Sequence, residues 1–498
     1  MVVKLPTSNK NYLIKQNGEG VFRHTFSLNV WIVNIMMKKI FIIFIELISV
    51  VYVTAQNKSL YQLQQEFVNL RFGMFIHFNM PTYFNEDWPD PDADPMLFNP
   101  VKLDCRQWAI AAKTAKMSYG CLTTKHHSGF CIWNTQTTDY SVMRSPLKRD
   151  VVKEFVEAFR AEGLQVMLYY SILDMHAHLR PHHIVPAHVE MIKQQLRELL
   201  TNYGEISALI IDGWDAPWSR ISYDEIPFED IYRFVKSIQP NCLVMDLNAA
   251  KYPAEALFYT DIKSYEQGAG QHISKESNRL PALSCFPLQA NWFWKESFPT
   301  TEVKKAEQIV YDNIIPMGNV YCNFILNVAP NREGLIDKNA LKALKEIGKL
   351  WKNNDQQPLL PETEKPIISS NIAKNQPTES SWSSDYAIMD FANDDNFNTC
   401  WNSNVNVKIP WYTVTFEREK PFNMIVITDR MNDGLQEYRL EYRVNGTWKT
   451  IYEGKAPVEH RVKIHRFKEV WGDAVRITIL EASTTPSIAE FGVYCERE

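Results

Sequence analysis

Short runs of almost unbroken apolar residues recur between about residues 68 and 352, and they constrain the fold more than any other feature of the chain. They fall at 71–78, 118–124, 164–171, 207–211, 242–247, 257–262 and 320–328. A strand with one wet face alternates apolar with polar; a strand apolar throughout is buried on both faces. Between the runs lie stretches with helical spacing, at 106–116, 151–162, 188–203, 228–239 and 339–351. Strand and helix in alternation predict a parallel sheet covered by helices. About eight such units in a span of this length fit a (β/α)8-like barrel better than an open sheet. The missing eighth strand is expected near 289–294, and the α/β barrel domain at 60–355.

In such a barrel the working side chains stand where strands end and loops begin. His77 ends the first run, His126 and His127 the second, Tyr169 and Tyr170 the third, and Asp212 the fourth. Asn248, then Lys263 and Glu266, follow later runs. All are expected around one mouth.

Beyond Trp351 the composition changes. A polar, proline-bearing stretch reads as a linker at 356–370. Short alternating segments follow, among them "WYTVTF", "MIVITD", "YRLEYRV" and "AVRITIL". Their number and spacing predict a C-terminal β-sandwich at 371–498.

At the other end, Lys38-Lys39 precedes an apolar run from Ile40 to Val53, and Val53-Thr54-Ala55 offers small residues for cleavage. That is the pattern of a signal peptide at 37–55, with 1–36 as an upstream extension, and it predicts a secreted or periplasmic protein. The run is too short and too interrupted for a membrane anchor. A net charge of −5 without a long basic run argues against nucleic acid as partner. The eight cysteines include no Cys-x-x-Cys pair, so a zinc ribbon is not expected, and their spacing specifies no pairing.

Asp212 carries the chemistry most sharply. A carboxylate directly after four apolar residues is poorly explained by packing, because an unpaired charge is costly to bury. It reads as a nucleophile or base in a sugar pocket. Glu266, in "DIKSYEQGAGQH", follows a strand-like run and precedes a glycine-containing loop, with Glu276 and Glu255 as competitors. Two carboxyls in one pocket are the machinery of glycoside hydrolysis. Histidines can bond ring hydroxyls, and Trp88, Trp133 and Trp292 offer flat faces to sugar C–H groups. A metal at His126-His127 is disfavoured, since adjacent residues on a strand point to opposite faces. His176, His178, His182, His183 and His188 crowd one stretch, but Pro181 and Pro186 break any regular ligand spacing.

These segments resemble glycoside hydrolase family 29, the α-L-fucosidases. "RFGMFIHF" is similar to that family's first strand, with His77 as its sugar-binding histidine. "TTKHHSGFCIWNTQTTDYSV" is similar to its strongest signature, which implies that His126 and His127 hold fucose hydroxyls and that Trp133 lines the pocket. "EDWPDPDADP" is similar to the loop lending an acid and a tryptophan to the sugar, here Glu86 or Asp87 and Trp88. "LIIDGW" matches the nucleophile segment, giving Asp212 that role, and "VYCNFILNVAPNREGLI" the closing strand. Tyr170, Trp214 and Trp292 complete the expected substrate-binding set. The resemblance implies retention of configuration, no metal and a fucosylated glycan as substrate. The chain departs from the family's pattern at four places: Phe78-Asn79, Ser128, Ile210 and Leu283. Leu283 stands where one branch has a glutamate, so the acid/base does not carry over by motif, and Glu266 is chosen by its place after a strand. The alternative is a catalytically impaired carbohydrate-binding protein on the same barrel.

The C-terminal segment resembles the discoidin, or factor 5/8 type C, sandwich through "DFANDDNFNTCW", "PWYTVTF" and "PSIAEFGVY". That implies a carbohydrate-binding module. A structural Ca2+ could find oxygen ligands at Asp390, Asn393, Asp394 and Asp395. The sequence does not fix the oligomeric state.

Overall fold

The computed structural model describes residues 57–497, apart from 354–356, 385 and 433. The expected signal peptide and upstream extension lie outside the described residues. Eight parallel strands form the first sheet: β1 (Phe72–Ile76), β2 (Tyr119–Lys125), β3 (Gln165–Ser171), β4 (Ala208–Asp212), β5 (Leu243–Asp246), β6 (Lys263–Glu266), β7 (Ala282–Pro287) and β8 (Cys322–Asn327). Their order is β5-β4-β3-β2-β1-β8-β7-β6, a barrel laddered everywhere except between β5 and β6. Single bonds bridge that seam: Asp261 N–H donates to the Val244 carbonyl at 2.8 Å, and Asp246 N–H to Thr260 Oγ1 at 3.2 Å.

The strands are apolar on both faces because each face meets a different core. Phe75, Cys121, Met167, Ile210, Met245, Cys285 and Ile325 fill the barrel. Met74, Leu122, Leu168, Leu209, Val244 and Phe324 point outward to the helices. A helix before the barrel, α1 (Leu60–Leu70), starts on a capping box between Ser59 and Gln62. Its Leu63 and Phe67 join the inner core. Burying each contributes about 1.5–3 kcal/mol.

Helices α2 (Cys105–Thr114), α3 (Val151–Ala161), α4 (Pro186–Thr201) and α5 (Phe228–Ile238) link successive strands from β1 to β5. Residues 306–318 form α6, with one π turn at Val310–Ile314, and α7 (Lys338–Leu350) follows β8. The β5–β6 and β6–β7 connections hold only 3-10 turns, at Ala249–Lys251 and Gln267–Ala269.

This explains two misplaced strands. The run at 257–262 is apolar because it packs between β5 and the linker, with Phe258 bridged to Ile367; the sixth strand begins only at Lys263. The last strand found is Ala282–Pro287, whereas 289–294 is a loop in which the Gln289 amide donates to the Phe298 carbonyl and to Thr301.

Among the described residues the C-terminal domain contains seven strands: β9 (Thr378–Ser380), β10 (Trp401–Asn402), β11 (Trp411–Asp429), β12 (Leu435–Val444), β13 (Thr447–Lys455), β14 (Val462–Ala482) and β15 (Ser487–Tyr494). The long strands β11 and β14 pair antiparallel, with register breaks between Thr415 and Lys420 and between Phe422 and Met424. One half of the pair joins β9, β12 and β13; the other joins β15, which carries β10. Breaking the long strands in this way builds the two layers of a sandwich.

The sandwich packs on the barrel flank that lacks helices. Met424, Val426, Val462 and Tyr494 join the barrel's outer core. Phe397 meets Tyr252 at 5.5 Å and Phe258 at 5.7 Å. Lys374 pairs with Asp224 at 3.7 Å, and Arg233 donates to the Arg497 carbonyl. All eight cysteines are free.

Candidate active site

Residues at the ends of β1 to β6 and of β8 converge on one mouth. Asp212 closes β4 on the inward phase of Ala208 and Ile210, and is buried at 5 % exposure. Gly213 then turns the chain at φ 115°, where a side chain would strike Ile172. The Asp212 carboxylate accepts from the Tyr169 hydroxyl on β3 at 2.7 Å and from the Asn248 amide, just past β5, at 2.9 Å. Burial pushes the Asp212 carboxyl up, while these donors and the Gly213 N–H pull it back by favouring the anion.

Glu266 closes β6, half-buried, and accepts from the Trp292 indole at 3.1 Å. Burial, then the negative charge of Asp212, raise its carboxyl to about 7. One carboxyl is held by several donors and the other is held protonated toward neutral pH.

Three imidazoles line the floor. His77 Nδ1 lies 2.8 Å from Asn327 Oδ1, at the end of β8. The Asn327 Oδ1 can only accept, so His77 Nδ1 carries the proton and Nε2 keeps a lone pair. His127 Nδ1 lies 2.8 Å from Ser171 Oγ, whose own hydrogen goes to the Leu173 carbonyl, so the same tautomer follows. Its Nε2 stands 3.8 Å from Asp212. The His126 Nδ1 is buried without a protein partner. Burial drives all three rings to the neutral form, His77 to about 3. Neutral imidazoles with free lone pairs suit hydroxyl donors, such as those of a sugar.

The metal argument from strand alternation does not apply to His126 and His127. Both follow the end of β2 in a turn, and their rings lie 3.9 Å apart. Among the described residues no group of His, Cys, Asp and Glu is placed to hold a metal ion. His176 instead lies on Tyr140 at 4.1 Å. In the sandwich, Asp390 accepts from Thr378, Asp394 from Thr399, Asn393 donates to the Ala373 and Gln376 carbonyls, and Asp395 pairs with Lys374. The Asn393 Oδ1 is buried without a protein partner.

Aromatic rings wall the mouth. Trp292 lies 4.9 Å from His77, Phe293 lies 4.8 Å from His126, and Trp88 stacks on His127 at 4.7 Å. Glu86 is exposed, while its neighbour Asp87 pairs with Lys295 at 2.7 Å.

Three expected residues stand elsewhere. Trp133 is wholly buried and donates to Glu198 on α4 at 2.9 Å. Tyr170 lies in the outer core, bonded to Gln195 and Lys125; its neighbour Tyr169 occupies the inward phase. Trp214 is buried against Tyr223 and Phe228, its indole on the Ile226 carbonyl. Glu276 is exposed, and Glu255 lies near Lys263. Tyr169 and Asn248 stand at the mouth as expected, on Asp212; Ser171 and Asn327, at the ends of β3 and β8, join the site with no motif to mark them.

Two carboxyls at one mouth, both raised by burial but only one held by several donors, over a floor of neutral imidazoles on a (β/α)8-like barrel, define a glycoside hydrolase. The alpha-L-fucosidase family model matches residues 82–356, and the chain belongs to that family. The F5/8 type C domain model matches residues 371–491. Among relatives, Alpha-L-fucosidase 1 of Arabidopsis thaliana is 27 % identical over 459 residues, covering 85 % of each chain. Alpha-L-fucosidase of Dictyostelium discoideum is 23 % identical over 329 residues, covering 56 % of this chain and 68 % of its own. The structure of Alpha-L-fucosidase isoenzyme 1 from Paenibacillus thiaminolyticus shares the fold, with a TM-score of 0.51 and 22 % identity over 85 % of this chain and all of that one.

Proposed function

We propose that the protein is a retaining α-L-fucosidase that removes terminal α-L-fucosyl residues from glycans or glycoconjugates through a covalent fucosyl-enzyme intermediate. The observation that carries this reading is the pair Asp212 and Glu266 at one mouth, the first held by Tyr169 and Asn248, the second raised to about 7. In the first step an Asp212 oxygen bonds to the anomeric carbon as Glu266 gives its proton to the departing glycosidic oxygen. In the second, Glu266, now a carboxylate, takes a proton from water; the hydroxyl bonds to the anomeric carbon and Asp212 leaves as the anion. His77, His126 and His127 bond the sugar hydroxyls, and the unpartnered His126 Nδ1 is filled by one of them. Trp88 and Trp292 face the ring and its apolar edge. No step calls on a cofactor.

The test is the anomer first released from an aryl α-L-fucoside, followed by proton NMR before mutarotation. The α-anomer is expected. Initial β-fucose would overturn retention, and no release of fucose would overturn the substrate.

A further inference from the structure

Two large indoles at this mouth are not buried. Trp88 and Trp218 are each 43 % exposed, whereas Asp212, His77, His126 and His127 beneath them are exposed by 8 % or less. The rings meet edge-to-face at 5.3 Å, and Trp218 lies 4.1 Å from the His127 ring. Trp88 comes from the loop after β1 and Trp218 from the loop after β4, so two separate segments build one aromatic corner.

The loop that carries Trp218 is fixed rather than loose. Trp214 anchors its base in the core, and Trp214 and Ile221 form a β-bridge. The Asp215 N–H donates to the Ile221 carbonyl at 2.7 Å, and the Ser219 and Arg220 N–H groups both donate to the Ala216 carbonyl. Lys251 pairs with Asp215 from outside. Asp215 and Arg220 adopt left-handed backbone, at φ 46° and 57°. A chain that accepts this strain to hold an indole in water is arranged for a partner that covers it. An immobilised indole loses little freedom on binding, which favours its use as a contact surface.

The depth of the site decides what that partner is. The buried floor takes the sugar whose anomeric carbon meets Asp212. A leaving group must reach solvent across the exposed rim, where Trp218 stands beside His127. We propose that Trp218, backed by Trp88, forms the subsite for the leaving group, and that it takes a pyranose presenting an apolar C–H face to the indole. This inference rests on the function proposed above and assigns Trp218 the choice of the sugar to which fucose is attached.

The experiment compares two substrates on the full chain. In an α-L-fucosyl disaccharide the leaving sugar reaches the rim; in α-L-fucosyl fluoride the leaving group is one atom and cannot. For Trp218→Ala, the ratio of kcat/KM for the disaccharide to that for the fluoride is expected to fall about tenfold, the size of one lost aromatic contact. Trp218→Phe should restore much of the ratio. Free disaccharide acceptors should also capture less of the fucosyl-enzyme in Trp218→Ala, because the same subsite serves the reverse approach. Equal loss on both substrates, or a ratio unchanged within twofold in Trp218→Ala, overturns the proposal. If the wild-type enzyme hydrolyses neither substrate, the function itself fails, not this assignment.

Discussion

From β1 to β4 each strand is laddered to the next and backed by a helix, whereas between β5 and β6 the ladder is missing and the connection holds only a 3-10 turn. Asp212 stands on the first side and Glu266 beyond the second. Backbone register fixes the nucleophile candidate, and two side-chain donors aim its oxygens. Glu266 has one side-chain donor, from Trp292, and its protonation is set by burial and by the charge of Asp212. One carboxyl is therefore placed by framework and the other tuned by surroundings.

The largest effect should come from the framework side. Asp212→Ala removes the atom that forms the covalent bond, so turnover should fall by about three powers of ten or more. Azide should restore part of it as a replacement nucleophile, and the far-UV spectrum should be unchanged. An active Asp212→Ala enzyme, measured with an aryl α-L-fucoside, would remove the assignment.

On the tuned side the loss depends on the substrate. Glu266→Ala should slow fucosides with poor leaving groups by about 10²–10⁴-fold, and activated aryl fucosides far less. The basic limb of kcat/KM, expected near pH 7 in the wild type, should flatten. If both substrate classes slow alike and the limb persists, Glu266 is not the acid/base, and Glu276 is the next residue to substitute.

The smallest effect sharpens the contrast through stability. The folded state holds the Glu266 proton more tightly than the unfolded chain, about 7 against 4.5. Stability from this group is thus fully present below the unfolded value and is lost as pH rises through 7. Glu266→Gln carries no such loss, so it should gain on the wild type between pH 5 and 8. The gain is at most about 1.4 kcal/mol per unit of raised pKa. Thermal midpoints at the two pH values measure it; a constant difference would mean that the environment does not raise this carboxyl.

The same two sides explain what could be read from the chain alone. Strands β1 to β4 were legible because each is an apolar run of strand length, followed by polar residues with a use: His77, His126, Asp212. The side-chain phase was harder. Register between β2 and β3 slips between Thr123 and Lys125, and such a bulge leaves no mark in the apolar pattern. Tyr170 and Tyr169 are therefore indistinguishable until the pairing is known. Trp133 and Trp214 misled for another reason: an indole in a core and an indole in a pocket have the same apolar signature. Trp218 betrays itself only through exposure. Near the seam, 257–262 mimics a strand because the linker and the C-terminal domain bury it.

That burial changes what the C-terminal domain is to the molecule. Phe397 wedges against Tyr252 and Phe258, directly behind the turn that presents Asn248 to Asp212. The sandwich stands where the regular pattern would set a helix, so the two domains are not two machines on one string. Cutting at the linker would strip a wall from the barrel's outer core behind that turn. A designer exchanging this module for another, or an ancestor acquiring it, must also supply that wall, and the fused architecture is in this sense a single inheritance.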